Sequence, residues 1–362
     1  MSIYTIVLIG CSFLLMGGAV GGHFQQKWTS YFCVSLLTCF SALRGYVGTD
    51  TYTYHTIFLD NGSEGILDVA KSIEPFFALL IKFVALITDS SFIFVAFISI
   101  IQGLLLVWLV ATSKKPTVFL LVYIALFYIN FQFNILRAGT AILLLVLANR
   151  IPDESKNQSR FYLLGAASVL IHYSAAIGFL PMLLIRQKNR NAQFFSAAWI
   201  VVALTFAYYF LMDNEALYGK YLVYSTELSS EVSSATNKSF IFSLPIYFLL
   251  YVSVVEKENF LKITLFFLVW FILRWATTLF VLVSRAEIVI NALLLFYVIE
   301  YVSVGWRNQI RSVALVGLIV MWLYGTLMLL GEEDPAVSGS IALDENHLMS
   351  PFNPYKFFWE EK

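Results

Sequence analysis

Long apolar blocks alternate along this chain with short polar joints, and the lengths of those blocks set the architecture. Blocks at 3–22, 30–43, 92–112, 117–131, 136–149, 192–212, 239–255, 259–283, 287–304 and 312–330 predict helices. About 20 apolar residues in a helix can cross a hydrocarbon core of roughly 30 Å. No water is available there to satisfy backbone groups, so spans should be helices rather than open strands, and β-barrel alternation is absent. Two segments depart from the rule. Residues 75–87 are short for a crossing and carry Lys82, while 161–185 is one apolar run with His172, Tyr173 and Ser174 at its centre. The expectation is an all-α, polytopic integral membrane protein with about 10–14 transmembrane or re-entrant helices.

Composition agrees with the pattern. Of 362 residues 59% are hydrophobic and only 13% charged, against roughly 25% charged in a soluble domain. The formal net charge is zero, so no basic field points to nucleic acid. Cys11, Cys33 and Cys39 lie in the first two apolar blocks without metal spacing, and read as small buried hydrophobes rather than disulfides. The first block lacks a basic leader and contains Gly17, Gly18, Gly21 and Gly22, which suits a packed helix better than a cleaved signal.

Charge arbitrates the topology. The basic joints are Lys114-Lys115, Arg150 to Arg160, Arg186 to Arg190, Lys257 to Lys262 and Arg307 to Arg311, whereas 45–74, 213–238 and 331–362 carry more acid than base. If 75–87 dips in and returns, and 161–185 is a pair of short helices meeting near His172, every basic joint is cytoplasmic. Both termini and the acidic segments are then outside. A single domain over 1–362 is expected, with outer loops 44–74 and 213–238, the latter a mobile cover, and an outer tail 331–362.

That topology gathers chemistry at the outer face: Arg44, Asp50, Glu74, Arg137, Arg285 and Glu287, with His172 pointing towards it. Ionisable residues at a membrane boundary are costly and are functional candidates. A guanidinium is the natural clamp for phosphate oxygens, so Arg44, Arg137 and Arg285 are candidate diphosphate ligands. Each also has a plainer reading, as an arginine snorkelling to the interface or, for Arg285, a partner of Glu287. Arg274 sits well inside a span and needs a partner, for which Glu300 or a carbonyl is expected. Histidine can take a proton from a hydroxyl near neutrality, which makes His172 the first candidate base and Asp50 the second. Glu74 before Pro75 is either a further rival base or an ordinary helix start. Tyr46, Tyr52 and Tyr54 are candidates to stack against sugar rings, with interfacial anchoring as the plainer reading of the many Trp and Tyr side chains. The chain has no P-loop, zincin, Asp-x-Asp or G-x-S-x-G motif, so nucleotide-sugar chemistry on the cytoplasmic face is not expected; the candidate set includes no metal or cofactor.

The string Arg44…Val47-Gly48-Thr49-Asp50…Tyr54 resembles the signature of the EpsG-type, Wzy-like polysaccharide polymerases. Glu74-Pro75-Phe76, Arg137 in its helical turn, His172-Tyr173-Ser174-Ala175, Arg285 and Pro351-Phe352-Asn353-Pro354-Tyr355 follow in the same order. One departure is Ala138-Gly139 after Arg137, where many relatives have Gln. The resemblance implies a GT-C-like, metal-independent glycosyltransferase at the periplasmic face of the bacterial inner membrane. It would pass a growing glycan (O-antigen, capsule or exopolysaccharide) from undecaprenyl diphosphate to a lipid-linked repeat unit. Arg44, Arg137 and Arg285 would hold diphosphate, His172 or Asp50 would serve as base, and Tyr54, Glu74, Tyr173, Arg274 and Glu287 would line the substrate. Membrane lipids and a chain-length regulator are the implied partners. A lipid-linked oligosaccharide flippase, an O-antigen-ligase-like transferase and a sugar acyltransferase are the alternatives.

Overall fold

A computed structural model describes residues 3–48, 50–152, 157–186, 231–255, 260–276, 284–300 and 306–331. No strand element occurs among them. The described helices are α1 (Ile3–Ala19), α2 (His23–Ala42), α3 (Thr51–Gly62), α4 (Ile66–Ser72), α5 (Pro75–Ala85), α6 (Ser91–Thr112), α7 (Pro116–Leu126) and α8 (Leu136–Arg150). They continue with α9 (Gln158–Ile171), α10 (Ala176–Arg186), α11 (Glu231–Val254), α12 (Phe260–Ala276), α13 (Ser284–Glu300) and α14 (Trp306–Gly331). Among the described residues, α6 is the helix both long and apolar enough to cross a membrane alone. Phe13, Leu14, Phe24, Trp28, Phe32, Leu104 and Trp108 all lie exposed on α1, α2 and α6. Apolar surface on that scale is what a lipid-facing wall presents.

The chain divides into two compact units, one comprising 1–148, 163–173 and 319–362, the other 149–162 and 174–318. In the first, α2 packs on α1, α6 and α7, and α3 packs on α5 and α6. In the second, α12 packs on α11 and α13, and α10 on α12 and α13.

Three expectations about the blocks meet different outcomes. The run 161–185 is broken at His172, where α9 ends and a 3-10 turn at Tyr173–Ala175 leads into α10. Helix α5 has 11 residues, roughly 17 Å at 1.5 Å per residue, so it is too short to cross alone. The block 117–131 is not one helix: α7 stops at Leu126, and a π-helical turn occupies Asn130–Asn134. Polar Asn130, Gln132 and Asn134 alternate there with Phe131 and Phe133, an alternation that interrupts the apolar periodicity.

The segment 44–74, expected as an outer loop, contains α3 and α4. Tyr54 and Phe58, and again Val69 and Ile73, are spaced four apart and so share one helix face. That face joins Phe77, Ile81, Val84, Phe94, Ile98 and Leu136 in a buried core. Within the expected loop 213–238, residues 231–238 belong to α11. The rest of that loop and the tail 332–362 lie outside the described residues. Cys11 and Cys33 are buried, while Cys39 is exposed, unlike the buried hydrophobe expected there.

Candidate functional site

The site is built around the joint between the π-turn and α8. Ile135 leaves helical geometry at φ −106°, ψ 59°, and Arg137 falls in the first turn of the next helix. Gly139 allows this turn to press back on the π-turn: a Cβ there would lie 2.7 Å from Cβ of Phe131. Below Arg137 lie the rings of Phe77 and Tyr54, at 5.5 Å and 5.9 Å from the guanidinium carbon. The Arg137 backbone N–H donates to the Tyr54 hydroxyl at 3.4 Å.

Glu74 is the centre of the arrangement. Its carboxylate does not cap α5, although it stands at the N-cap before Pro75. It turns instead to two basic side chains. Arg137 Nη1 donates to Oε2 at 2.6 Å, and His172 Nδ1 lies 2.8 Å from Oε1. Burial alone would push the Glu74 carboxyl up, but the His172 hydrogen bond and the Arg137 charge outweigh it and hold it at about 2. An ionised carboxylate only accepts, so Nδ1 is the nitrogen that donates to it, and in the neutral imidazole Nε2 is then the acceptor. Nε2 of His172 and Nε of Arg137 are both buried without a hydrogen-bond partner. The arrangement is a carboxylate-oriented imidazole beside a guanidinium, the pairing of base and orienter that activates hydroxyl groups.

Arg44 approaches the same π-turn but has a different environment. It is 1% exposed, and its Nη1 donates to the carbonyls of Ser41 (3.0 Å) and Gln132 and reaches Ser99 Oγ at 3.5 Å. Its guanidinium carbon stands 4.8 Å from the centre of the Phe133 ring. Arg44, a candidate diphosphate ligand in the sequence, is here a buried guanidinium bonded to backbone carbonyls. Gly48 follows at φ +111°, with no room for a Cβ against the Phe133 carbonyl. Asp50 precedes α3 and is partly exposed, and its charge reaches the Tyr54 hydroxyl. Burial raises the Tyr54 pKa, against the pull of Arg137, so the phenol stays protonated. Tyr54 is therefore a buried floor residue, whereas Tyr52 and Tyr173 are exposed. Tyr46 packs on Tyr52, His55 and Phe92.

In the second unit, Arg274 pairs with Glu287 at 3.3 Å. The expected partner Glu300 is taken by Arg150, at 2.6 Å. Tyr247 stacks on Trp270 with ring centres 3.9 Å apart, and its hydroxyl donates to Asn291. Arg285 opens α13, but its side chain lies outside the described residues. Among the described residues no three His, Cys, Asp or Glu side chains gather as a metal site.

Three positions went unmarked in the sequence. Gln102, wholly buried in α6, donates to Phe131 O and Leu136 O at 3.1 Å and 2.9 Å. Thr51 Oγ1 lies 2.9 Å from Phe133 O. His55 Nδ1 lies 2.8 Å from Ser91 Oγ. A lone glutamine inside an otherwise apolar helix is the cue that could have found the first.

No curated protein and no solved structure matches the chain. The model of the EpsG family matches residues 27–335, a stretch holding Arg44, Glu74, Arg137 and His172. That match points to polysaccharide biosynthesis, and the match together with the apolar α6 among the described helices points to membrane association. On this evidence the chain belongs to the EpsG family.

Proposed function

We propose that this protein is a polysaccharide polymerase, a glycosyltransferase that moves undecaprenyl-diphosphate-linked glycan onto a lipid-linked repeat unit. The reaction would take place at the periplasmic face of the bacterial inner membrane. The observation that carries the reading is the Glu74 carboxylate held between Arg137 and His172 in a chain of the EpsG family.

In this reading His172 Nε2 takes the proton of the acceptor hydroxyl as its oxygen bonds to the anomeric carbon of the donor sugar. The bond from that carbon to the diphosphate oxygen breaks, and its electron pair leaves with the lipid diphosphate. Arg137 stabilises the growing charge, since fixed cations in a partly dry site act there without reorganising. Glu74 keeps Nδ1 protonated and the ring oriented, and it balances the imidazolium once the proton arrives. Tyr54 and Phe77 hold the guanidinium over their rings.

The test is to incubate purified protein with a synthetic lipid-diphosphate repeat unit and resolve the products. A ladder of lengthening glycan supports the reading. Glycan fixed at one repeat unit, with lipid-linked sugar crossing a proteoliposome bilayer, would overturn it in favour of a flippase.

A further inference from the structure

Three successive carbonyls of the π-turn, those of Phe131, Gln132 and Phe133, are each held by a side chain from a different part of the fold. Gln102 Nε2 of α6 donates to Phe131 O at 3.1 Å. Arg44, just beyond α2, donates to Gln132 O. Thr51, the first residue of α3, lies 2.9 Å from Phe133 O and 2.6 Å from Val47 O, so one hydroxyl is shared between them. All three side chains are buried. Gln102 also donates to Leu136 O at 2.9 Å and reaches Thr140 Oγ1 at 3.1 Å, and so holds the first turn of α8 as well.

A π-turn followed by a non-helical residue leaves carbonyls without the usual i+4 partner, and a buried carbonyl needs one. Simple satisfaction could be had from any polar neighbour. Here the donors come from three separate segments and converge on the three successive residues 131–133 of the π-turn, just before the turn that holds Arg137. Such convergence fixes position as well as hydrogen bonding, because no one of these segments can shift without breaking a bond to the turn. We infer that Arg44, Thr51 and Gln102 are positioning residues that act together through the π-turn to aim the Arg137 guanidinium. Arg44 then serves the site through Arg137, and not as a second ligand of the diphosphate. The inference rests on the proposed role of Arg137 as the diphosphate ligand.

The experiment is calorimetric binding of farnesyl diphosphate, a polyprenyl diphosphate probe, to the full chain in nanodiscs. Thr51→Val keeps the side-chain shape and removes the hydroxyl; Gln102→Met does the same for the amide on another helix. Each should weaken binding by roughly two- to tenfold, the worth of one buried hydrogen bond, and Thr51→Ser should restore it. Introduced into Arg137→Ala, neither should weaken binding further, and Arg44→Gln should behave likewise, because residues acting through one group are not additive. Equal losses from Arg44→Gln in both backgrounds would overturn the inference and make Arg44 a direct ligand. Wild-type affinity in both folded Thr51→Val and folded Gln102→Met would also overturn it. Wild-type affinity in Arg137→Ala would instead remove the diphosphate role of Arg137 itself, and the aiming device with it.

Discussion

Arg44 and Arg137 approach one π-turn, and their environments differ. The Arg44 side of the turn is closed: carbonyls, a serine hydroxyl and the Phe133 ring surround a guanidinium at 1% exposure. On the Arg137 side the side chain is 24% exposed and its ionic partner is a carboxylate. Backbone carbonyls are neutral and fixed, so a guanidinium committed to them is a tie between segments. A carboxylate carries the same sign as a phosphate. In the proposed reading an incoming diphosphate takes over this contact, since a guanidinium binds carboxylate and phosphate oxygens alike. Position at a polar boundary makes an arginine a candidate; the kind of partner it holds decides whether it can exchange.

The difference can be broken most severely through the imidazole on the Arg137 side. His172→Ala should lower the polymerisation rate by roughly 10²–10⁴-fold, the usual worth of a general base, with little change in melting temperature. A steady-state assay on the lipid-linked repeat unit checks it, and turnover near wild type would pass the base role to Asp50. Next comes Arg137→Ala, expected to slow transfer roughly ten- to a hundredfold through lost charged hydrogen bonds, again without global unfolding. Arg44→Met should divide the two sides of the turn. It removes the donor to Ser41 O and Gln132 O and should cost about 1–3 kcal/mol of stability, the penalty for leaving a buried acceptor unsatisfied. A lowered melting temperature by tryptophan fluorescence is the readout. An unchanged melting curve with lost activity would mean that the two arginines do the same job.

Much of the scaffold was legible because it depends on period and length. The break at His172 shows in the His-Tyr-Ser triplet at the centre of an apolar run, and the shortness of α5 shows in the spacing from Pro75 to Lys82. The carboxylate, arginine and histidine of the site were all visible as residues out of place in apolar surroundings. The charge pattern placed them at one face, but their pairing through Glu74 was not visible, because Glu74 and His172 are 98 residues apart and only tertiary packing brings them into contact. The same limit hid Glu287, 13 residues on in the facing helix, as a partner of Arg274, where Glu300 or a carbonyl was the expectation. Least legible were the ties of Thr51 and Gln102. They bind carbonyl oxygens, which every residue carries, so no residue type marks the acceptor. The π-turn that exposes those carbonyls falls mostly in the short joint between the blocks 117–131 and 136–149, where no residue type marks π-helical geometry.

The smallest expected effect concerns pH and again separates the two sides. Next to Arg44, His55 is buried against Ser91, Tyr46 and Phe92. Burial first, and then the Arg44 charge, hold its pKa down to about 3 from 6.5. The folded protein thus keeps His55 neutral while the unfolded chain takes up a proton below 6.5, so this contribution is complete above pH 6.5 and is lost as pH falls towards 3. On the Arg137 side, Glu74 is held at about 2 against 4.5. Its contribution is present above 4.5 and is lost only as pH falls from there towards 2. Between pH 6.5 and 5, then, His55 should act while Glu74 does not. The slope there is about 1.4 kcal/mol per pH unit for one proton. His55→Phe should flatten that limb of a melting-temperature series and leave the steeper fall below pH 4.5 in place. A series in which His55→Phe changes nothing between pH 6.5 and 5 would show that the imidazole is already wet in the folded protein. The closed character assigned to the Arg44 side would then be wrong.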